Sequence, residues 1–300
     1  MALAGRPVTP NPCDAALLKT PASRTLFGEL LRVVAELLLW CGNLREVTDR
    51  FTVVETDRFV SHVEVVVTAI KGATVFVTGG GRGIGKAMVA ELYSRGAAKV
   101  YATARDPRTV AHADAVPLAL EVTDPASVAA VAEQAQDVTI LINNAGANAH
   151  ASYLESTMDE VRKDLETNFY GPLLVTRAFA PIIERNGGGH ILNAHSALSW
   201  LADGTTYSAS KAALWSQTNS LRLKLQPRGI AVTGLHMAYV DTAMTSGLGQ
   251  VPKATPHDIA VAALDGIEAD AHEVLADDTT RWVKAQLSAA PEALYQQLKK

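Results

Sequence analysis

From Ala73 onward, short runs of β-branched and apolar residues alternate with longer stretches whose apolar positions recur at helical spacing. The runs are Ala73–Thr78, Lys99–Thr103, Ala115–Leu120, Val138–Ile142, His190–Asn193, Ile230–Leu235 and Glu273–Ala276. Helical patterns follow Gly83, Pro125, Met158 and Thr205, and another begins near Pro256. Runs that are apolar almost throughout, instead of at every second position, predict strands buried on both faces. Their alternation with helices predicts an α/β domain, doubly wound, with a central parallel sheet covered on both sides. There is no internal repeat and no low-complexity segment.

Residues 1–68 break this rhythm. They hold Pro7, Pro10, Pro12 and Pro21, an amphipathic helical pattern from Leu26 to Trp40, and a Val-rich piece ending in Val65-Val66-Val67. Glu29, Arg32 and Glu36 interrupt the apolar stretch. It is too short and too charged for a membrane span and starts too far in for a signal peptide. Three readings stay open: an appended segment that packs on the domain or mediates association, a loosely ordered extension, or a natural start near Val65–Val67, since valine codons serve as bacterial starts. The division expected is an N-terminal extension over 1–68 and one main domain over 69–300.

Composition narrows the function classes. A chain of 300 residues, 48% hydrophobic, can bury one large core. A net charge of -4, without a run of like charge, gives no pull toward nucleic acid or an anionic membrane. Cys13 and Cys41 are too few for a disulfide framework or a Cys-based metal site, which fits a reducing, cytoplasmic setting. Among the histidines, His190 and His195 are five apart on a strand and so fall on opposite faces. They and His236 read as packing or loop residues, with no metal, and His195 as a neighbour of the substrate pocket.

The first strand runs into Gly79-Gly80-Gly81-Arg82-Gly83-Ile84-Gly85, which opens a helix. Glycines there let the backbone turn tightly and approach a pyrophosphate, which the N–H groups of the helix start attract. After the next strand comes Ala104-Arg105-Asp106. An acidic residue about 20 positions past the glycines marks NAD by bonding the ribose 2′-hydroxyl. Here Arg82 and Arg105 can instead clamp a 2′-phosphate. Two charge-assisted bonds of roughly 1.5–3 kcal/mol each would favour NADP by about a hundredfold. Asp106 either pairs with Arg105 or reaches the ribose if the loop shifts by one residue.

Tyr207 and Lys211 are four apart, so on a helix the phenol and the ammonium project from one face. A fixed positive charge pulls a phenol from its usual pKa of about 10 toward the working range.

In these features the chain resembles the short-chain dehydrogenase/reductase family across about residues 70–290. Thr78–Gly85 is similar to its Thr-Gly-x-x-x-Gly-x-Gly loop, Asn143-Asn144-Ala145-Gly146 to its Asn-Asn-Ala-Gly motif, Asn168 to its helix asparagine and Tyr207…Lys211 to its Tyr-x-x-x-Lys pair. The resemblance implies a Rossmann-fold catalytic domain using NADP(H) to reduce a carbonyl compound, or the reverse. It also implies a homodimer or homotetramer paired through the helices of Asn168 and Tyr207. Tyr207 would be the general acid/base and Lys211 would lower its pKa and hold the nicotinamide ribose. Ser196 would steady the developing oxyanion, and Asn168 would hold a water in a proton relay. Cofactor contacts would come from Gly79, Arg82, Gly83, Ile84, Gly85, Arg105, Glu121, Val122, Asn144, Ala145, Gly146, Tyr207, Lys211, Val240 and Thr242.

Three departures stand out. Ser196 lies 11 residues before Tyr207, two fewer than the family's usual spacing. The ten residues between can still span roughly 33 Å. Ser199 is the alternative, less well placed at the strand end. The family's Pro-Gly after the sixth strand is Met237-Ala238, and Glu121 replaces its usual Asp. Trp200, Leu201, Met237 and Met244 are candidate pocket walls or ordinary core. The alternative function is a non-catalytic NADP-binding sensor or assembly partner whose short loop disables Ser196.

Overall fold

The computed structural model describes residues 68–296. The expected extension, with its Leu26–Trp40 helix and both cysteines, lies outside the described residues. Seven strands form one sheet: β1 (Thr74–Val77), β2 (Lys99–Ala104), β3 (Val116–Ala119), β4 (Ile140–Asn143), β5 (Gly189–Ala194), β6 (Ile230–His236) and β7 (Glu273–Leu275). All neighbours are parallel, in the order β3-β2-β1-β4-β5-β6-β7. The chain therefore winds outward both ways from β1 and β4, and the crevice between their ends is where such sheets hold ligands.

Both faces of the sheet are buried, as the near-continuous apolar runs require. Val75 and Val77 of β1 enter one core, and Phe76 between them enters the other. Ile140 and Ile142 against Leu141 divide the same way. Helices α1 (Gly83–Ser94) and α6 (Pro256–Glu268) cover the first face through Met88, Leu92, Ile259 and Leu264. Helices α2 (Pro125–Gln134), α4 (Gly171–Arg185) and α5 (Thr206–Leu225) cover the second through Val128, Phe179 and Leu225. Helices α7 (Asp278–Ala285) and α8 (Pro291–Gln296) add a small cluster of Leu201, Val283 and Leu294. Among the described residues, no helix is long and apolar enough to cross a membrane.

One irregularity shapes the site. Helix α3 (Met158–Leu165) continues into α4 through a wide π turn, Glu166–Tyr170, centred on Asn168. Pro172 has no N–H, so the carbonyl of Asn168 lacks its normal partner four residues on. The turn widens instead, with Gly171 N–H bonding the carbonyl of Glu166.

Candidate active site

A cleft of about 1220 Å³ opens at the carboxyl ends of β1, β4, β5 and β6. Its floor is the turn after β1. Gly79 and Gly83 have φ of 70° and 52°, which a side chain would strain. A Cβ on Gly85 would drive into the carbonyl oxygen of Gly79. Thr78 locks this turn to the β4 loop: its hydroxyl accepts the N–H groups of Asn144 (3.0 Å) and Ala145 (2.9 Å). The Asn144 side chain is spent holding the turn, donating to the Thr78 carbonyl at 2.9 Å, which leaves the backbone of Asn144–Gly146 facing the cleft.

Helix α1 begins at this turn, and no side chain caps its first N–H groups. That is the cradle a dinucleotide pyrophosphate needs. Gly85→Ala is expected to cut NADPH affinity at least tenfold and cost about 1–3 kcal/mol of stability. Fluorescence titration and thermal melting check it, and wild-type affinity would contradict the close approach.

At the adenosine end, Arg82 and Arg105 are exposed, and among the described residues neither meets a carboxylate. Asp106 pairs with Arg108, not with Arg105 as the sequence suggested. Arg108 Nε and Nη2 reach its two oxygens at 2.9 and 2.8 Å, and its own N–H adds a third bond. The cause is local, because Asp106 caps the short turn Pro107–Thr109. The Arg108 bonds hold the Asp106 carboxyl below its usual range. Glu121 lines the cleft, but Oε1 accepts from Thr123 Oγ1 at 2.9 Å. Val122 is buried. Val240 and Thr242 line the far side, with Thr242 beside Gly83.

At the other end, Ser196, Tyr207, Lys211 and Asn168 converge. The shortened loop still brings Ser196 and Tyr207 to the same end of the cleft, with Ser196 Oγ accepting the N–H of Leu198 at 3.1 Å. The ring of Tyr207 is half-buried and borders the cleft, as does Ser196, whereas Ser199 does not. Lys211 Nζ lies 5.7 Å from the centre of the Tyr207 ring and donates to the Ala194 carbonyl at 2.9 Å. Asn168 is fully buried, its amide bonded to both polar groups of Ala147 and to Ser210 Oγ. A Cβ on Gly146 would sit 3.2 Å from Asn168 Oδ1 and 3.7 Å from Lys211 Nζ, so glycine there keeps the space between them open.

Around Tyr207, burial pushes the phenol pKa up, Ser196 works against it, and Asp164 and Asp203 add to the rise. Burial lowers Lys211 to about 8, against the pull of Asp164.

The candidate walls divide. Met237 and Met244 line the cleft. Trp200 and Leu201 do not: the turn Ala197–Ser199 leads the chain away, and both pack with α7 and α8. Trp200 stacks on His236 at 4.0 Å, and His236 on His195 at 4.6 Å. His190 faces the other side, bonding Thr233 at 2.7 Å. Among the described residues, no group of His, Cys, Asp or Glu could hold a metal.

Sequence reasoning missed Asp164, although its place four residues before Asn168 puts it on the same helix face. It also missed Arg108, whose spacing from Asp106 gave no signal.

The model of the family described as short chain dehydrogenase matches residues 73–252. An NADPH-dependent 1-acyldihydroxyacetone phosphate reductase of Schizosaccharomyces pombe is 35% identical over 183 residues, 57% of this chain and 61% of that one. The chain therefore spans less than two thirds of that relative's length. A 3-oxoacyl-(acyl-carrier-protein) reductase of Escherichia coli is 31% identical over 61% of this chain and 80% of its own. A short chain dehydrogenase of Burkholderia cenocepacia, solved in complex with NADP, superposes with a TM-score of 0.72 at 33% identity, covering 77% of this chain and 99% of its own.

Proposed function

The chain belongs to the short chain dehydrogenase family, and on that premise we propose that it is an NADPH-dependent reductase of aldehydes or ketones, able to run in reverse. The observation that carries this reading is the convergence of Ser196, Tyr207, Lys211 and Asn168 at one end of the glycine-turn cleft. The nicotinamide, when bound, supplies the hydride. Ser196 donates a hydrogen bond to the substrate oxygen as charge grows on it, where a fixed donor has most effect. Tyr207 gives its proton to that oxygen, breaking its own O–H bond as the alcohol O–H forms. The phenol is protonated at neutral pH and so has a proton to give. Lys211 and Asn168 return a proton from solvent. Met237 and Met244 line the cleft and favour an apolar carbonyl substrate.

NADP is favoured over NAD because Arg82 and Arg105 are unpaired among the described residues while Arg108 occupies Asp106. The S. pombe relative is NADPH-dependent, and the B. cenocepacia structure holds NADP, which supports the same choice.

The test is turnover of aldehydes and ketones with NADPH and NADH, for wild type and Arg82→Ala/Arg105→Ala. Wild type is expected to prefer NADPH by about a hundredfold, and the double variant to lose most of that preference by a rise in KM for NADPH. Equal use of both cofactors by wild type would sink the NADP assignment.

The sensor reading has less support. It required a loop too short to deliver Ser196, whereas Ser196 lines the same cleft as Tyr207 and Lys211.

A further inference from the structure

Asp164 is fully buried on α3, and the reaction as described makes no use of it. Its Oδ1 accepts the N–H of Ala149 at 2.8 Å, and its Oδ2 accepts the hydroxyl of Thr206 at 2.7 Å. Both oxygens of the buried carboxyl thus have a partner. Ala149 belongs to the loop after β4, which borders the cleft. Thr206 is the first residue of α5 and the neighbour of Tyr207. Beside Asp164 the same two segments are stitched twice more. Thr206 N–H bonds the Ala151 carbonyl at 3.0 Å, and Ser152 and Thr205 form an antiparallel bridge. A single carboxylate thus ties α3, the β4 loop and the start of α5, with its charge beside the first turn of α5, where a helix favours an anion.

We infer that Asp164 is a positioning residue of this site: its buried carboxylate ties α3 and the β4 loop to the start of α5, and so fixes the place of Tyr207 and the electrostatic setting of Tyr207 and Lys211. This rests on the reductase reading above. The groups that act on Tyr207 are Asp164 from α3, Ser196 and Asp203 from the loop before α5, and Lys211 one turn along α5. Burial raises the phenol pKa most, Ser196 works against it, and Asp164 and Asp203 add to the rise. At Lys211, Asp164 opposes the loss of charge that burial favours. His195, at the end of β5, is fully buried and held neutral, so it supplies no competing charge near neutral pH.

Asp164→Asn separates charge from geometry. Its Oδ1 can still accept from Ala149, and its amide nitrogen can donate to the Thr206 hydroxyl. The measurement is kcat for carbonyl reduction against pH, with Asp203→Asn as the exposed control. The basic limb of the Asp164→Asn profile is expected about one pH unit below wild type, with kcat near wild type on the acid side. Tyr207 and Lys211 would both lose their proton earlier, so the direction holds whichever of them sets the limb. Asp203→Asn should move it less. Should circular dichroism show Asp164→Asn unfolded, Asp164→Ser removes the same charge and leaves a hydroxyl in its place. An unmoved basic limb in a folded, active variant would overturn the charge role. Failure of wild type to reduce any carbonyl would overturn the reductase reading itself, which separates the two.

Discussion

Tyr207→Phe is expected to lower kcat for carbonyl reduction by about 10³–10⁴-fold while leaving NADPH affinity within about threefold of wild type. The substitution removes one oxygen from a ring that borders the cleft, and the ring itself stays packed where it is. On the reading above, most of the cofactor's contacts lie elsewhere, at the glycine turn, the β4 loop, Arg82 and Arg105. Among the described residues, the lost oxygen is the only phenol lining the cleft, beside Ser196. Stopped-flow reduction and a binding titration on the same preparation check both halves. Turnover within about tenfold of wild type would mean that another group protonates the product.

The second large effect is on stability. Three histidines are buried neutral: His190 and His236 have pKa values lowered to about 4 by burial, and His195 is lowered well below the usual value. In the unfolded chain each would titrate near about 6.5. Between those values the unfolded chain binds more protons than the folded one, so stability falls as pH falls. The contribution is fully present above about pH 6.5 and is lost as pH drops toward 4. By pH 5 the loss is about 2 kcal/mol for each of His190 and His236, and His195 adds to it. Against a typical domain stability of about 5–15 kcal/mol, that is a large share. Urea melts at a series of pH values from about 7 to about 4.5 measure it. His190→Gln should flatten the dependence, because one proton-binding site is gone. Equal stability at pH 7 and pH 5 would contradict neutral burial of these side chains.

The architecture was legible because each strand is apolar on both faces, so periodicity alone separated strands from helices. Every expected run from Ala73–Thr78 to Glu273–Ala276 became a parallel strand within a residue or two of its expected ends. The glycine turn was legible for a sharper reason: only a backbone free of side chains lets Gly79 and Gly85 approach as they do. The closure of the Ser196 loop was harder to foresee. Spacing gave a length but not a path, and the path depends on the turn at Ala197–Ser199 and on packing of Trp200 and Leu201 against α7 and α8. For the same reason those two residues could not be told from pocket wall. The surroundings of Tyr207 were only half legible, because a sequence shows the charge at Lys211 but not the burial or the carboxylates near the phenol. Asp164 and Arg108 escaped because their partners, Thr206 and Asp106, are chosen by the fold and by a local turn that no motif encodes.

The most direct measurement is deuterium transfer from NADPH labelled at the nicotinamide C4 into the product of aldehydes, ketones and 3-oxoacyl thioesters, followed by mass spectrometry. One deuterium on the former carbonyl carbon, absent with Tyr207→Phe, is the expected result. A protein that binds NADPH through its glycine turn yet moves no deuterium to or from any carbonyl or alcohol would contradict the assignment and leave a nucleotide-binding protein without the chemistry.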